Sequence, residues 1–320
     1  MITRSLVEDD ALELTLEAPL WPLVERWMPL GLEQPARAAG ATIELRAAGT
    51  PLRHPTAEPL LTLDRVRAWP DDRRGGGTLL RGGLPASGGV VSLDVGRARL
   101  YADPAQSPEA AADVYSMLTV SAALLLTSLG RALVHAAAVV DPDGAAWILA
   151  GDARSGKSTT CVTLASAGWE YLSDDQVVLA AGGGGADGVR VSGWLRPFHL
   201  DTAAPGREPT GERHEVLPAE LGLTRWRRGA PLAGVILPMV VPAQPTRLVP
   251  LPAADGLAGL VRQSPWLLAC PRAAPRVFAL LARAVGGGSY RLELGLDTFR
   301  RPSDLLRCLD ALRPRAGIVW

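Results

Sequence analysis

The chain of 320 residues predicts an α/β fold with a mixed sheet, preceded by a small β-rich N-terminal lobe. Three observations carry that expectation. Strand-like and helical patterns alternate through residues 106–320, as they do where helices cover a sheet. The turn Asp141-Pro142-Asp143-Gly144 joins two apolar runs tightly enough to make them antiparallel, so the sheet is not purely parallel. Finally, the glycine-rich stretch from Gly151 to Ser158 stands between an apolar run and a helical one, the order expected of a strand–loop–helix unit.

Residues 1–105 have a strand-and-turn texture. Runs 11–16, 41–45 and 90–95 are short and apolar or alternating, and glycine-, proline- and arginine-rich stretches separate them. Stretches 73–77, 82–83 and 88–89 read as tight or mobile loops. His54, beside Pro55, reads as a solvated loop histidine, and the lobe carries no evident chemical constellation.

The second unit, 106–320, opens with a helix over 108–131, acidic at its start (Glu109, Asp113) as the helix dipole prefers. Its stretch 114–130 carries no charge, but it includes five Ser/Thr and is shorter than the ~20 residues that cross a bilayer. It reads as a buried helix, with no membrane partner. Strands follow at 132–140 and 145–150, then a helix at 157–167 ended by Gly168 as a left-handed cap. Strands 169–173 and 176–180 flank Asp174 and Asp175, a glycine turn occupies 182–185, and 189–194 returns as a strand. Beyond residue 200, strands are expected at 235–241, 246–250 and 290–294. Helices are expected at 253–262 and 275–285, and an amphipathic one closes the chain at 303–312.

Composition excludes several function classes. Thirty-three basic residues balance thirty-three acidic ones, which argues against a polycationic nucleic-acid binder. Three cysteines, odd in number and without a CxxC pair, favour neither a disulfide framework nor structural zinc, and fit a reducing cytoplasm. The acidic N-terminus lacks the basic-then-apolar pattern of a signal peptide. No asparagine occurs, so neither an N-glycosylation sequon nor an HRDxxxxN kinase loop can be built. Only Lys157 is a lysine. Arginine replaces lysine almost everywhere, except where a compact ammonium must fit among phosphates, and that places Lys157 under suspicion before any motif is read.

Gly151-Asp152-Ala153-Arg154-Ser155-Gly156-Lys157-Ser158 matches G-x-x-x-x-G-K-[ST], the Walker A pattern. Loop amides and the N-terminus of the following helix, begun by Thr159, are expected to converge on phosphate oxygens. Lys157 would reach the β- and γ-phosphates of ATP, and the Ser158 hydroxyl would coordinate Mg²⁺. Asp174 and Asp175 follow at a strand end, where a carboxylate can hold Mg²⁺ opposite the loop hydroxyl. The other aspartate could accept a proton from an attacking hydroxyl. An Asp-Asp turn without chemistry is the plainer alternative.

The ordered set Leu133-Val134-His135-Ala136, the Gly151–Ser158 loop, the helix closing at Gly168, and Leu172-Ser173-Asp174-Asp175 resembles the catalytic domain of the HPr kinase/phosphorylase family. The resemblance implies a phosphoenolpyruvate carboxykinase-like fold and transfer of a phosphoryl group to a serine hydroxyl. It also implies that Lys157 and Ser158 serve phosphate and metal, that Asp174 is the base, that Asp175 supports the metal, and that His135 lies beside the aspartates. The family's E-x-R-G-x-G-like stretch has no counterpart. Arg196-Pro197-Phe198-His199-Leu200-Asp201 stands at about that distance instead. In this the chain looks more like divergent relatives associated with modified-peptide biosynthesis, which phosphorylate a serine of a precursor peptide. Arg196 and Arg247 are candidates to contact the transferred group, while His199 and His214 read as structural.

The functional expectation is an ATP- and Mg²⁺-dependent kinase acting on a hydroxyl of a peptide, protein or small molecule. The alternatives are an ATP-hydrolysing or nucleotide-binding accessory protein, and an inactive relative that binds a partner peptide. Self-association is left open.

Overall fold

The computed structural model describes residues 1–28, 32–63, 65–71, 77–182, 188–194, 196–201 and 213–310. The expected loop at 73–76, the glycine turn at 183–185 and the last two residues of the closing helix lie outside them.

The first sheet holds eight strands: β1 (Ile2–Ser5), β2 (Leu12–Leu16), β3 (Ala41–Ala47), β4 (Leu61–Leu63), β5 (Val66–Asp71), β6 (Gly77–Arg81), β7 (Gly88–Ser92) and β8 (Arg97–Ala102). Their spatial order is β1-β2-β3-β8-β7-β6-β5-β4. Strict alternation sorts the faces. Leu12, Leu14, Leu16, Ile43, Leu45 and Leu100 are fully buried on one side, and Glu13, Glu44, Arg97 and Arg99 line the other. The run at 90–95 ends as a strand at Ser92, because Leu93–Gly96 makes the turn into β8 and Gly96 takes φ +62°.

Two helices cover the apolar face. The first, α1 (Trp21–Trp27), was not legible in the sequence. The second, α2 (Pro108–Ser128), begins where the Ser107 hydroxyl accepts the Ala110 N–H (3.1 Å). It ends three residues before the expected Arg131, since Gly130 adopts φ +74° and the Arg131 N–H turns back to Leu126 O (2.9 Å). By length and composition α2 could cross a membrane, but 89% of its most apolar window is buried inside the protein. Asp113 fixes it to the first sheet by accepting Arg65 Nε (2.7 Å) and the N–H groups of Gly83 (3.1 Å) and Leu84 (2.7 Å). This helix, assigned by sequence to the second unit, therefore shares one apolar core with residues of the first.

The second sheet contains β9 (Ala132–Val140), β10 (Ala146–Ala150), β11 (Glu170–Ser173), β12 (Gln176–Ala181) and β13 (Val189–Gly193). After the small β14 (Phe198–Asp201) and β15 (Arg213–Val216) hairpin come β16 (Gly229–Val240), β17 (Arg247–Leu251) and β18 (Ser289–Leu294). The sheet is mixed: β9 and β10 are antiparallel, while β10–β16 and β16–β18 are parallel. Because β10 pairs with both β9 and β16, strands β9, β12, β13, β16 and β10 form a closed ring of pairings. Small alanines along β9 suit the crowded interior. The Asp141 hairpin forms as expected, with Oδ1 accepting the Ala145 N–H (3.0 Å) and Gly144 at φ +88°.

Helix α3 (Lys157–Ser166) follows β10 and ends near Gly168 at φ +97°. It packs on the outer face of the ring together with α7 (Pro302–Asp310), through Cys161, Leu164, Leu305 and Leu309. The remaining helices are α4 (Ala253–Arg262), α5 (Ala274–Ala284) and the one-turn α6 (Asp297–Arg300). Helices α4 and α5 pack on the side of the ring away from α3.

Candidate functional site

The fully buried β10 delivers the chain into the 151–156 loop. Its tip, Asp152, Ala153 and Arg154, is exposed, and Arg154 takes φ +65°. Ser155 N–H closes a turn onto Asp152 O (3.2 Å). Gly156 takes φ +103°, and a Cβ there would lie 2.3 Å from Leu294 Cδ1, so conformation and space both demand glycine. The first bond of α3 runs from Thr160 N–H to Gly156 O (2.9 Å). The amides of Ser158 and Thr159 precede it and have no acceptor within the helix. No side chain caps this terminus and no acid stands in its own first turn, though Asp174 approaches it from the neighbouring bend.

Lys157 is only 8% exposed and folds back over the loop. Its Nζ donates to Gly151 O (2.7 Å) and Asp152 O (3.0 Å). Gln263, at the end of α4, joins the loop to β9: its Nε2 donates to Asp152 Oδ1 (3.1 Å), and its carbonyl accepts the His135 N–H (2.9 Å).

The two aspartates sit in the bend between β11 and β12. The buried Ser173 hydroxyl shapes that bend, lying 2.7 Å from Gln176 O and accepting the N–H groups of Gln176 (3.3 Å) and Asp175 (3.4 Å). The strand has ended, so the carboxylates diverge. Asp174 turns to α3, where Oδ2 accepts the Ser158 hydroxyl (3.0 Å); its Oδ1 is buried with no hydrogen-bond partner. Burial pushes its pKa up to about 7, the Ser158 bond opposes that, and the neighbouring Asp175 charge adds to it.

Asp175 turns the other way. Its Oδ1 meets His135 Nδ1 (3.1 Å), and its Oδ2 accepts from Tyr115 Oη (2.6 Å), Gln176 Nε2 (3.2 Å) and the Arg196 guanidinium. Burial pushes this carboxyl up, but Arg196 and His135 override it and hold it well below the usual carboxylate range. Arg196 is itself buried, 4.4 Å from the Tyr115 ring centre and 5.3 Å from that of Trp27. Trp27 stacks on Tyr115 (5.1 Å) and on His199 (5.9 Å), so α1 and α2 supply one wall of the site. Gly193 lets β13 lie close against β11 just before the aspartates, since a Cβ there would lie 2.5 Å from Leu172 O.

His135, Lys157, Ser158, Asp174 and Asp175 thus share one connected network. His199, read as structural, reaches its edge, with Nδ1 3.4 Å from an Arg196 nitrogen. Arg196 is spent on Asp175, and Arg247 is held by Glu293 (2.5 Å) and Gln244 (3.2 Å) on the outer strands. Tyr115, Trp27 and Gln263 escaped the sequence reading. The one available signal was Tyr115, the sole aromatic residue in α2.

The raised pKa of Asp174 has a stability consequence. A carboxyl raised by folding contributes stability that is fully present below its unfolded value near 4 and is lost as pH rises through about 7. Asp174→Asn, which cannot ionise, is expected to gain stability relative to the parent across that window, by about 4 kcal/mol. Urea melts in chelator without nucleotide at pH 4 to 8 check this. A difference that stays flat with pH defeats it.

No protein-family model matches this chain, and no curated protein matches it in sequence. Among solved structures, the Hpr(Ser) kinase/phosphatase from Coxiella burnetii is similar to it at 14% identity, with a TM-score of 0.28, over 56% of this chain and 96% of that one. The likeness is distant, and at that TM-score it decides neither activity nor substrate.

Proposed function

We propose that the chain is an ATP- and Mg²⁺-dependent kinase that transfers the γ-phosphoryl group to a hydroxyl of a peptide, protein or small molecule. One observation carries the reading: at the uncapped N-terminus of α3, Lys157 lies over the loop and Ser158 meets Asp174, whose sequence neighbour Asp175 pairs with His135. In this reading the 151–156 loop and the first amides of α3 hold the phosphates. Lys157 exchanges its two loop carbonyls for phosphate oxygens.

The donor set fits Mg²⁺. Among the described residues no three His, Cys, Asp or Glu side chains form a ready metal cage. Mg²⁺ needs none, because it takes one or two carboxylates together with substrate phosphates and water. The Ser158 hydroxyl and Asp174, with its orphaned buried Oδ1, would hold it. When bound, the ion neutralises phosphate charge that Lys157 alone does not balance.

This divides the aspartates differently from the family resemblance. Asp175 is saturated by Arg196, Tyr115, Gln176 and His135, so it orients rather than ligates. By accepting from His135 Nδ1–H it leaves Nε2 with a free lone pair. The acceptor oxygen attacks the γ-phosphorus, the bond to the β,γ-bridging oxygen breaks, and the hydroxyl proton passes to His135 Nε2. ADP carries away the bridging oxygen.

Incubation with γ-labelled ATP, Mg²⁺ and hydroxyl-bearing peptides tests the reading. Label is expected on an acceptor, with His135→Ala slower by about 10²–10⁴-fold at neutral pH and ATP affinity retained. Free phosphate without acceptor label would favour the ATP-hydrolysing accessory protein instead.

A further inference from the structure

The outer face of the first sheet carries a second feature that the kinase reading does not use. A cavity of about 1110 Å³ lies between this face and the 53–58 segment, turned away from α2 because its side chains alternate with the buried ones. Its wall includes Arg53, Arg81, Arg97 and Arg99 beside Trp69 and Tyr101. Two hydrogen bonds pin the segment over the sheet: Arg81 Nε to Arg53 O (2.9 Å) and Trp69 Nε1 to Ala57 O (2.8 Å).

Among the described residues, four arginines line the cavity against two carboxylates, Glu58 and Asp71. Arg81 is 8% exposed and, among the described residues, bonds backbone carbonyls alone, those of Arg53 and Leu80. Neither Arg81 nor Arg53 has a carboxylate partner among the described residues. Burial pushes the Arg81 pKa below the ordinary guanidinium value, as it does where nothing offsets the cost. Arg97 (3.9 Å) and Arg99 (3.3 Å) share the single carboxylate of Glu44 with Arg46 (3.4 Å). A guanidinium that, among the described residues, is buried without a counter-ion beside an open cavity suits an anion.

We propose that this cavity binds an acidic peptide segment, its carboxylates on Arg81, Arg97 and Arg99 and its apolar side chains against Trp69 and Tyr101. The apolar wall and the volume suit several residues rather than a lone phosphate. Glu58 and Asp71 also line the cavity, so its positive charge is confined to the arginine side, and the chain's overall charge balance disfavours nucleic acid. The surface is separate from the loop site, so binding here stands or falls without reference to phosphoryl transfer.

The test is fluorescence anisotropy of a labelled short peptide alternating glutamate with phenylalanine, using the full chain without nucleotide. The wild type is expected to bind it, and the same peptide with lysine for glutamate is not. Arg97→Gln/Arg99→Gln, at two exposed positions, should weaken binding by roughly tenfold and leave ATP turnover unchanged. Three results overturn the proposal: no binding by the wild type, equal binding by the double variant, or tighter binding of a single-stranded RNA oligonucleotide.

Discussion

Lys157→Ala is expected to lower phosphoryl turnover by about 10²–10³-fold, the usual cost of deleting one charged group that stabilises a transition state. Lys157 is the only lysine in the chain, it is nearly buried, and it lies over the loop carbonyls of Gly151 and Asp152. No arginine stands in that position to substitute, and a guanidinium is too broad to enter a cradle built for a compact ammonium. Lys157→Arg should therefore be nearly as slow as Lys157→Ala. A single-turnover assay with labelled ATP measures both, and wild-type rates in either variant would remove Lys157 from the chemistry.

The second large effect belongs to Arg196. Arg196→Met leaves Asp175, whose side chain is 21% exposed, without its buried counter-charge, and breaking such a pair from one side costs up to about 3–5 kcal/mol. The ordinary linkage rule fixes the pH window. Asp175 is held low, so its contribution is present above the unfolded carboxylate value near 4 and is lost as pH falls toward its own lower value. The loss on deleting Arg196 should accordingly be full at pH 7 and shrink in acid. Arg196→Met/Asp175→Leu removes both charges and should recover much of the stability but none of the activity. Urea unfolding at pH 7 and pH 3 decides. If the double variant is as unstable as the single, the cost is packing around Tyr115 and Trp27 rather than an orphaned carboxylate.

These two residues mark where sequence reading succeeds and where it stops. The strand and the helix on either side of the Gly151–Ser158 stretch were legible because each requirement is local. The Asp141 hairpin and the Gly168 cap were legible for the same reason. The end of α2 was misplaced because Leu129 and Gly130 extend an apolar run that Gly130 breaks by conformation, not by polarity. Strand β16 begins at Gly229, six residues before the expected 235, where Gly229, Pro231 and Gly234 leave no alternating pattern to read.

The division of labour between Asp174 and Asp175 was illegible on physical grounds. Two adjacent aspartates look alike in a sequence. Ser173 bends the chain between them, Ser158 claims one, and Arg196, Tyr115 and His135 claim the other from three separate elements. Contacts that bridge 60 residues, as from Tyr115 to Asp175, leave no local pattern.

The central claim is that the N-terminus of α3 and its loop grip the phosphates of a nucleotide. Backbone amide resonances of Gly156, Ser158 and Thr159, followed while ADP and Mg²⁺ are titrated into the wild-type chain, report on it directly. The account predicts large, saturable shifts at these amides with ADP and none with adenosine. Shifts of equal size with adenosine, or amides that stay still while ADP binds elsewhere, would contradict it.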